Sequence, residues 1–229
     1  MKGLPELLQG LQSLGTNVLL QDQPYPVAAP RSPEHAVECV RAAQEHSFVV
    51  MALGTGSSFP PDFSLLRDRV LALLTVGLAE TRMLSPFVMR ASAGSAIETI
   101  IQCEVQADRK TLGGFIAGAR NGFSDPLVRA LWSRIQTVEV LTSDAVLRGF
   151  PGPARTGGDG GAAAGLLVGS RGRLGMITAV ELKPPLPILV SGIADGNSRH
   201  PSFRSVGGDS VLGAGEIRAI VDRHGLFQW

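Results

Sequence analysis

Aromatic residues are scarce in this 229-residue chain, at 5% of positions with a single tyrosine. That scarcity argues against the stacking platforms that single-stranded nucleic acids use. Charge is also thin: 18% of residues are charged and the net charge is +1. No basic footprint exists for nucleic acid or an anionic membrane surface, and neither is expected as a partner. The two cysteines, Cys39 and Cys103, fall in helix-like patterns without disulfide or metal-ligand spacing. Both read as small buried apolar residues, and no metal site is expected. No apolar run approaches the roughly 18 residues of a membrane-spanning helix. The N-terminal stretch has one lysine and then a polar-interrupted amphipathic segment, not the apolar core of a secretory signal. The expected compartment is the cytoplasm.

What the chain does have is apolar mass and turns. Hydrophobic residues reach 44%, with 28 glycines and 15 prolines. This length supports a sizeable core in one large or two small domains. Leu4, Leu7, Leu8, Leu11 and Leu14 recur at helical spacing and Gly15 follows at a C′ position, which predicts a short docking helix. Residues 17–21 read as a strand and 25–30 as an extended edge. Ser32 as N-cap, Pro33 at N1 and Glu34 in the first turn open a helix with apolar residues Ala36, Val37, Val40 and Ala43. Residues 48–53, 70–76, 87–93, 135–141 and 174–182 are predicted strands, with 146–150 returning as a hairpin partner after Ser143-Asp144. Ser95-Ala96-Ile97-Glu98 has a capping-box pattern for a helix through residue 105. Residues 111–126 read as irregular, 151–161 as a linker or mobile loop, and 162–168 and 216–224 as short helices. Alternating strands and helices followed by a hairpin predict an α+β or mixed α/β fold.

Three glycine-rich turns stand in order. Gly54-Thr55-Gly56-Ser57-Ser58 follows an apolar strand pattern. Glycines there let backbone N–H groups approach a phosphate closely, and the hydroxyls add donors. Thr111-Leu112-Gly113-Gly114 is the second turn. The third is Gly169-Ser170-Arg171-Gly172-Arg173-Leu174-Gly175-Met176-Ile177-Thr178. No lysine follows Gly56, which excludes a Walker A loop, and Pro60-Pro61 opposes the helix that a Rossmann fingerprint requires.

These turns, with the segment from Val27 to Val37 before them and the strand ending Pro184-Pro185-Leu186-Pro187 after them, resemble the FAD-binding domain of the vanillyl-alcohol oxidase/p-cresol methylhydroxylase (PCMH-type) superfamily, glycolate/D-lactate oxidase-like branch. The resemblance spans residues 25–187. It implies a two-subdomain α+β FAD-binding domain over 20–187, preceded by the docking helix in 1–19 and followed by a short extension in 188–229. It also implies a cofactor site. Gly54, Thr55, Gly56, Ser57 and Ser58 would hold the FAD pyrophosphate. Thr111, Gly113 and Gly114 would approach the pyrophosphate and the flavin side, and Gly118, Asn121 and Gly122 would extend that wall. Gly175, Ile177 and Thr178 would run beside the cofactor. Relatives often attach FAD through histidine or cysteine. Neither residue type occurs at 52–62 or 108–124, so noncovalent FAD is expected.

The departures are specific. Ala52-Leu53 stands where relatives carry an additional glycine, the stretch before Thr111 is short, and Arg171 replaces a common glutamate. Relatives of this branch carry a substrate-binding cap after the Pro-x-Pro strand. The expectation is therefore that a partner subunit supplies the substrate site or the electron acceptor, or that the substrate half is missing; a homo-oligomer is also compatible. Three readings remain open at this point. One is a subunit or truncated form of a flavin-dependent 2-hydroxy-acid oxidoreductase. Another is an electron-relay FAD subunit resembling those of molybdenum hydroxylases, to which Ser124-Asp125-Pro126 points. The third is a degenerate interaction module that has lost FAD. Spacing identifies no catalytic residue. His35 and His46 read as surface residues at the two ends of a helix, and His200 and His224 as loop and helix-end residues. Arg155, Arg171, Arg173 and Asp159 read as exposed loop residues.

Overall fold

The structure, a computed structural model, describes residues 3–16, 18–19, 25–55, 69–101, 110–156 and 161–184. It begins with helix α1 (Leu4–Ser13), which buries Leu7 and Leu11. Gly15 adopts a φ of 68°, and the Thr16 N–H donates to the Leu11 carbonyl at 3.0 Å, closing the helix as its leucine spacing predicts. α1 packs on α2 (Pro33–Glu45), whose Ala36, Val37, Cys39, Val40 and Ala43 are buried. Ser32 is the N-cap: its Oγ accepts from the His35 N–H at 3.1 Å. Ser32→Ala should therefore cost about 1 kcal/mol of stability, measurable as a lower urea midpoint with an unchanged slope.

His35 is not the surface residue expected. Its Nδ1 accepts from the Arg31 N–H at 3.3 Å, and its Nε2 lies 2.5 Å from Thr16 Oγ1. The ring is half-buried and ties the end of α1 to the start of α2.

Two sheets follow. The first comprises β1 (Val18–Leu19), β2 (Val27–Ala28), β3 (Val49–Leu53) and β4 (Val70–Leu74) in the order β1-β2-β4-β3. β2, β4 and β3 are parallel, and β1 is antiparallel. Residues 25–30 were expected at an edge, but β2 pairs on both sides and its two residues are buried. The second sheet is antiparallel throughout: β5 (Thr81–Ser85), β6 (Val88–Ser92), β9 (Met176–Leu182), β7 (Ile135–Leu141) and β8 (Leu147–Pro151), in that order. β7 and β8 form the expected hairpin. Strand β5 has no apolar alternation and was not foreseen.

One face of the second sheet packs against α3 (Ile97–Ile101), α4 (Leu112–Ala117), α5 (Pro126–Trp132) and α7 (Ala162–Gly165). α4 falls in the stretch expected to be irregular, and α5 begins at its last residue. Thr111 caps α4, with its Oγ1 accepting from the Gly114 N–H at 3.2 Å, and Asp125 caps α5 by accepting from the Leu127 N–H at 2.9 Å. Glycine composition masked both starts. The capping box at 95–98 does not form as read. Ser95 Oγ lies 3.0 Å from Thr81 Oγ1, and α3 is described to Ile101. Within the expected linker, Pro153–Thr156 is a short helix, α6. Cys103, Asp159, His200, His224 and the helix expected at 216–224 lie outside the described residues.

The sheets share a core. Leu141, Ala145 and Met176 of the second sheet's end join the apolar face of α2. Gln44 Nε2 donates across the same junction to the Ser143 carbonyl at 2.6 Å. Among the described residues, no helix is long and apolar enough to cross a membrane.

Candidate functional site

Parallel strands β3 and β4 end side by side, and ligands of open parallel sheets bind outside such carboxyl ends. Gly54 follows β3, and Thr75 follows β4. Both meet the start of α4. A Cβ on Gly54 would stand 2.8 Å from Thr111 Oγ1 and 3.3 Å from the Gly114 Cα. A Cβ on Gly114 would meet Thr111 Oγ1 at 2.8 Å and the Gly54 Cα at 3.5 Å. Thr75 Oγ1 lies 3.5 Å from Thr111 Oγ1. The first and second glycine turns therefore touch main chain to main chain, which only residues without side chains permit.

The third turn reaches α4 from the opposite end. The Gly169 N–H donates to the Ile116 carbonyl at 3.0 Å and the Arg171 N–H to the Ala117 carbonyl at 2.7 Å. These bonds satisfy carbonyls that a helix end leaves unpaired. Gly169, Gly172 and Gly175 have φ values of 74°, 77° and 132°. A Cβ on Gly169 would also lie 2.8 Å from the Ala119 carbonyl oxygen. Arg171 adopts a φ of 53°, a left-handed conformation that non-glycine residues seldom take. All three turns thus converge on one six-residue helix.

The first turn of α4 is anchored rather than open. The Leu112 N–H donates to the Ser95 carbonyl and the Gly113 N–H to the Ala93 carbonyl, each at 2.8 Å. The Gly114 N–H is held by Thr111 Oγ1. Thr111 and Gly113 therefore shape the wall by close packing, with Gly113 set so that a Cβ would lie 2.8 Å from the Ala93 Cβ. Gly54 and Thr55 border the same space, while Gly56, Ser57 and Ser58 lie outside the described residues.

The remaining residues are more dispersed. Gly118 ends α4, where a Cβ would strike the Gly114 carbonyl oxygen at 2.6 Å. Asn121 is exposed, and Gly122 turns with a φ of 50°. Ile177 is buried in the sheet's core. The Thr178 hydroxyl is engaged by Glu139, donating to Oε1 at 2.8 Å. Glu139 also pairs with Arg90 at 2.8 Å, and Arg90 reaches Glu181 at 3.7 Å. That half-buried network joins β6, β7 and β9. Arg155, Arg171 and Arg173 are exposed.

Sequence reasoning missed Gly94, Gly77 and Thr75, which fix the wall from behind. A Cβ on Gly94 would lie 2.0 Å from the Thr75 carbonyl oxygen, and one on Gly77 would lie 2.3 Å from that of Pro30. The small-residue run Ser92-Ala93-Gly94-Ser95 was the available signal. Among the described residues, no group of three or more His, Cys, Asp or Glu side chains is placed to hold a metal ion.

No protein-family model and no curated protein matches the chain. Solved structures do match. One is glucooligosaccharide oxidase from Acremonium strictum, whose FAD is 6-S-cysteinyl, 8α-N1-histidyl linked. It is 14% identical with a TM-score of 0.59, over 78% of this chain and 42% of that one. Another is BBE-like 1 of Physcomitrella patens, at 14% identity and a TM-score of 0.56, over 77% of this chain and 44% of that one. Cholesterol oxidase from B. sterolicum matches at 15% identity and a TM-score of 0.53, over 75% and 38%. The chain spans about two-fifths of the length of these structures. At these identities the likeness is one of fold: the chain has the α+β fold of the matched part of these oxidases.

Proposed function

We propose that this chain binds FAD noncovalently and serves as a subunit or shortened form of a flavin-dependent oxidoreductase of the cytoplasm, acting on a 2-hydroxy acid of the glycolate or D-lactate type. The observation that carries this reading is the convergence of the three glycine turns on α4, with Gly54 and Gly114 packed so closely that a Cβ on either would meet Thr111 Oγ1 at 2.8 Å. In this reading the loop from Gly54 through Ser58 meets the pyrophosphate, since the N–H groups of Leu112, Gly113 and Gly114 already have protein partners. Thr111, Gly113 and Gly114 shape the wall beside it, Gly118, Asn121 and Gly122 extend that wall, and the strand after Gly175 backs the flavin side through Ile177 and Thr178. FAD, when bound, supplies a two-electron acceptor for hydride removed from a C–H bond. The chain's own residues place it and keep water from its buried side. The absence of histidine and cysteine from 52–62 and 108–124 supports noncovalent attachment, in contrast with the cysteinyl-histidyl linkage of the Acremonium oxidase. The substrate half of the site is proposed to come from a partner subunit.

The electron-relay alternative rests on a local resemblance alone. Ser124-Asp125-Pro126 forms a helix start, with Asp125 as cap and Pro126 at N1. The decisive measurement is a visible absorbance scan of the purified protein, repeated on the supernatant after heat denaturation. Two flavin bands that pass into the supernatant are expected. A colourless protein that also fails to retain added FAD would overturn the proposal and leave an interaction module on an inherited fold.

A further inference from the structure

The third glycine turn carries two charges that the fold does not use. Arg171 and Arg173 are exposed, with Gly172 buried between them. Arg171 holds a φ of 53°, a left-handed conformation that a side chain makes costly and that glycine adopts freely. Such strain persists only where the surrounding structure imposes it, and it collects at functional sites. Here main-chain bonds impose it. The Arg171 N–H donates to the Ala117 carbonyl at 2.7 Å, and the Arg173 N–H to the Ser170 carbonyl at 3.1 Å. Neither bond calls for a guanidinium group at 171.

The same turn brings in a third arginine. A Cβ on Gly169 would lie 2.8 Å from the Ala119 carbonyl oxygen, so the turn adjoins Arg120, which is also exposed. Among the described residues, no carboxylate forms an ion pair with Arg120, Arg171 or Arg173. The carboxylates of this half of the chain are engaged elsewhere. Asp125 accepts from the Leu127 N–H, Asp144 pairs with Arg148, and Glu139 and Glu181 share Arg90. Described residues 110–156 and 161–184 hold nine Lys and Arg against four Asp and Glu, whereas 3–16 and 25–55 hold two against four. The net charge of +1 therefore hides a cationic second half.

We propose that Arg120, Arg171 and Arg173, at the end of α4 away from Gly54, form a docking surface for the acidic face of a partner protein. Several observations select a protein over other anions. The N–H groups of residues 169–173 and 175 are all bonded within the chain, so the turn offers a phosphate no cradle of open donors. Exposed guanidinium groups hold an isolated small anion weakly, because water and salt screen the charge. A protein surface excludes that water and presents several carboxylates at once. Among the described residues, the large exposed apolar side chains, at Leu14, Val76, Met83, Leu84, Phe87 and Val146, all lie outside 117–122 and 169–175. The surface thus lacks the apolar anchors of a bilayer-binding patch, and three arginines fall short of the basic stripe that follows a nucleic-acid backbone. A standard interface buries about 800 Å² on each partner, enough to cover these adjoining segments together. No cofactor atom enters the inference, which stands even if the protein proves colourless.

The test follows the anisotropy of fluorescein-labelled poly-glutamate titrated with the full chain at low ionic strength. Binding that weakens with added salt is expected. Arg171→Gly combined with Arg173→Ala should weaken it by about fivefold or more, and Arg82→Ala, at an exposed arginine of β5, should leave it unchanged. No binding, equal binding by the double variant, or an equal loss in Arg82→Ala overturns the proposal. So does tighter binding of duplex DNA or of phosphatidylserine vesicles, or displacement of the probe by inorganic phosphate beyond the effect of chloride at equal ionic strength. Arg171→Gly alone separates docking from a structural role. Glycine relieves the left-handed φ, so the urea midpoint should be equal or higher while probe binding falls. A lower midpoint would mean that the arginine serves the fold, and overturns the proposal.

Discussion

Gly94→Ala is expected to leave little folded protein. The added Cβ would sit 2.0 Å from the Thr75 carbonyl oxygen and 2.7 Å from that of Leu78. Both obstacles are main chain, so no rotamer change relieves the overlap. The Gly94 N–H also donates to the Leu78 carbonyl at 2.7 Å, fixing the two strands of chain against each other. Relief would require the loop after β4 to move away from the end of β6, opening the seam between the two sheets. Overpacking of cores costs about 1–3 kcal/mol where side chains can adjust. Here, where they cannot, the loss should be at least about 3 kcal/mol, a large part of the stability of a single domain. Urea unfolding of Gly94→Ala beside Gly10→Ala gives the comparison. A Cβ on Gly10 meets nothing within 4 Å and lies inside α1, so that change should be neutral or stabilise by up to about 1 kcal/mol. A Gly94→Ala protein as stable as the parent would mean that this junction is packed otherwise.

Gly114→Ala should separate binding from folding. Its Cβ would meet Thr111 Oγ1 at 2.8 Å, a side-chain atom, and approach the Gly54 Cα at 3.5 Å. The threonine can rotate away and sacrifice its cap, so a loss of only about 1 kcal/mol in stability is expected. The methyl group, however, presses on the seam where the second turn supports Gly54, the start of the loop proposed to meet the pyrophosphate. FAD affinity should fall at least about tenfold, equivalent to 1.4 kcal/mol. Fluorescence titration of apoprotein with FAD would measure it. Unchanged affinity in a folded Gly114→Ala protein would remove the contact between Gly54 and Gly114 from the cofactor site.

The difference between these two glycines bears on how legible the molecule was in its sequence. Elements with a local cause were readable. Ser32 and Pro33 announced α2, the leucine spacing announced α1, and the apolar runs announced β3, β4 and β9. The turns were readable as glycine clusters, and their convergence followed only from the resemblance. What was not readable had causes distant in sequence. Ser95 resembled a helix cap until the fold brought Thr81 within 3.0 Å. α4 looked irregular because two of its six residues are glycines, and its start is held by the Ser95 and Ala93 carbonyls. β5 carries no periodicity because its side chains face outward. Thr178, expected beside the cofactor, has a hydroxyl turned to Glu139, a partner that strand register alone determines.

The anchoring of α4 has a consequence for the lifetime of the site. Its six residues are gripped at the front by the chain at 93–95 and at the back by 169–171, while Gly54 is seated against its side. These segments come from both sheets and from distant parts of the sequence. Neither the chain at 93–95 nor that at 169–171 can swing away without breaking its main-chain bonds to the helix. Regions tied in this way exchange their amides only when a large cooperative unit opens. The wall of the site thus has no private clock: it persists for as long as the domain itself stays closed.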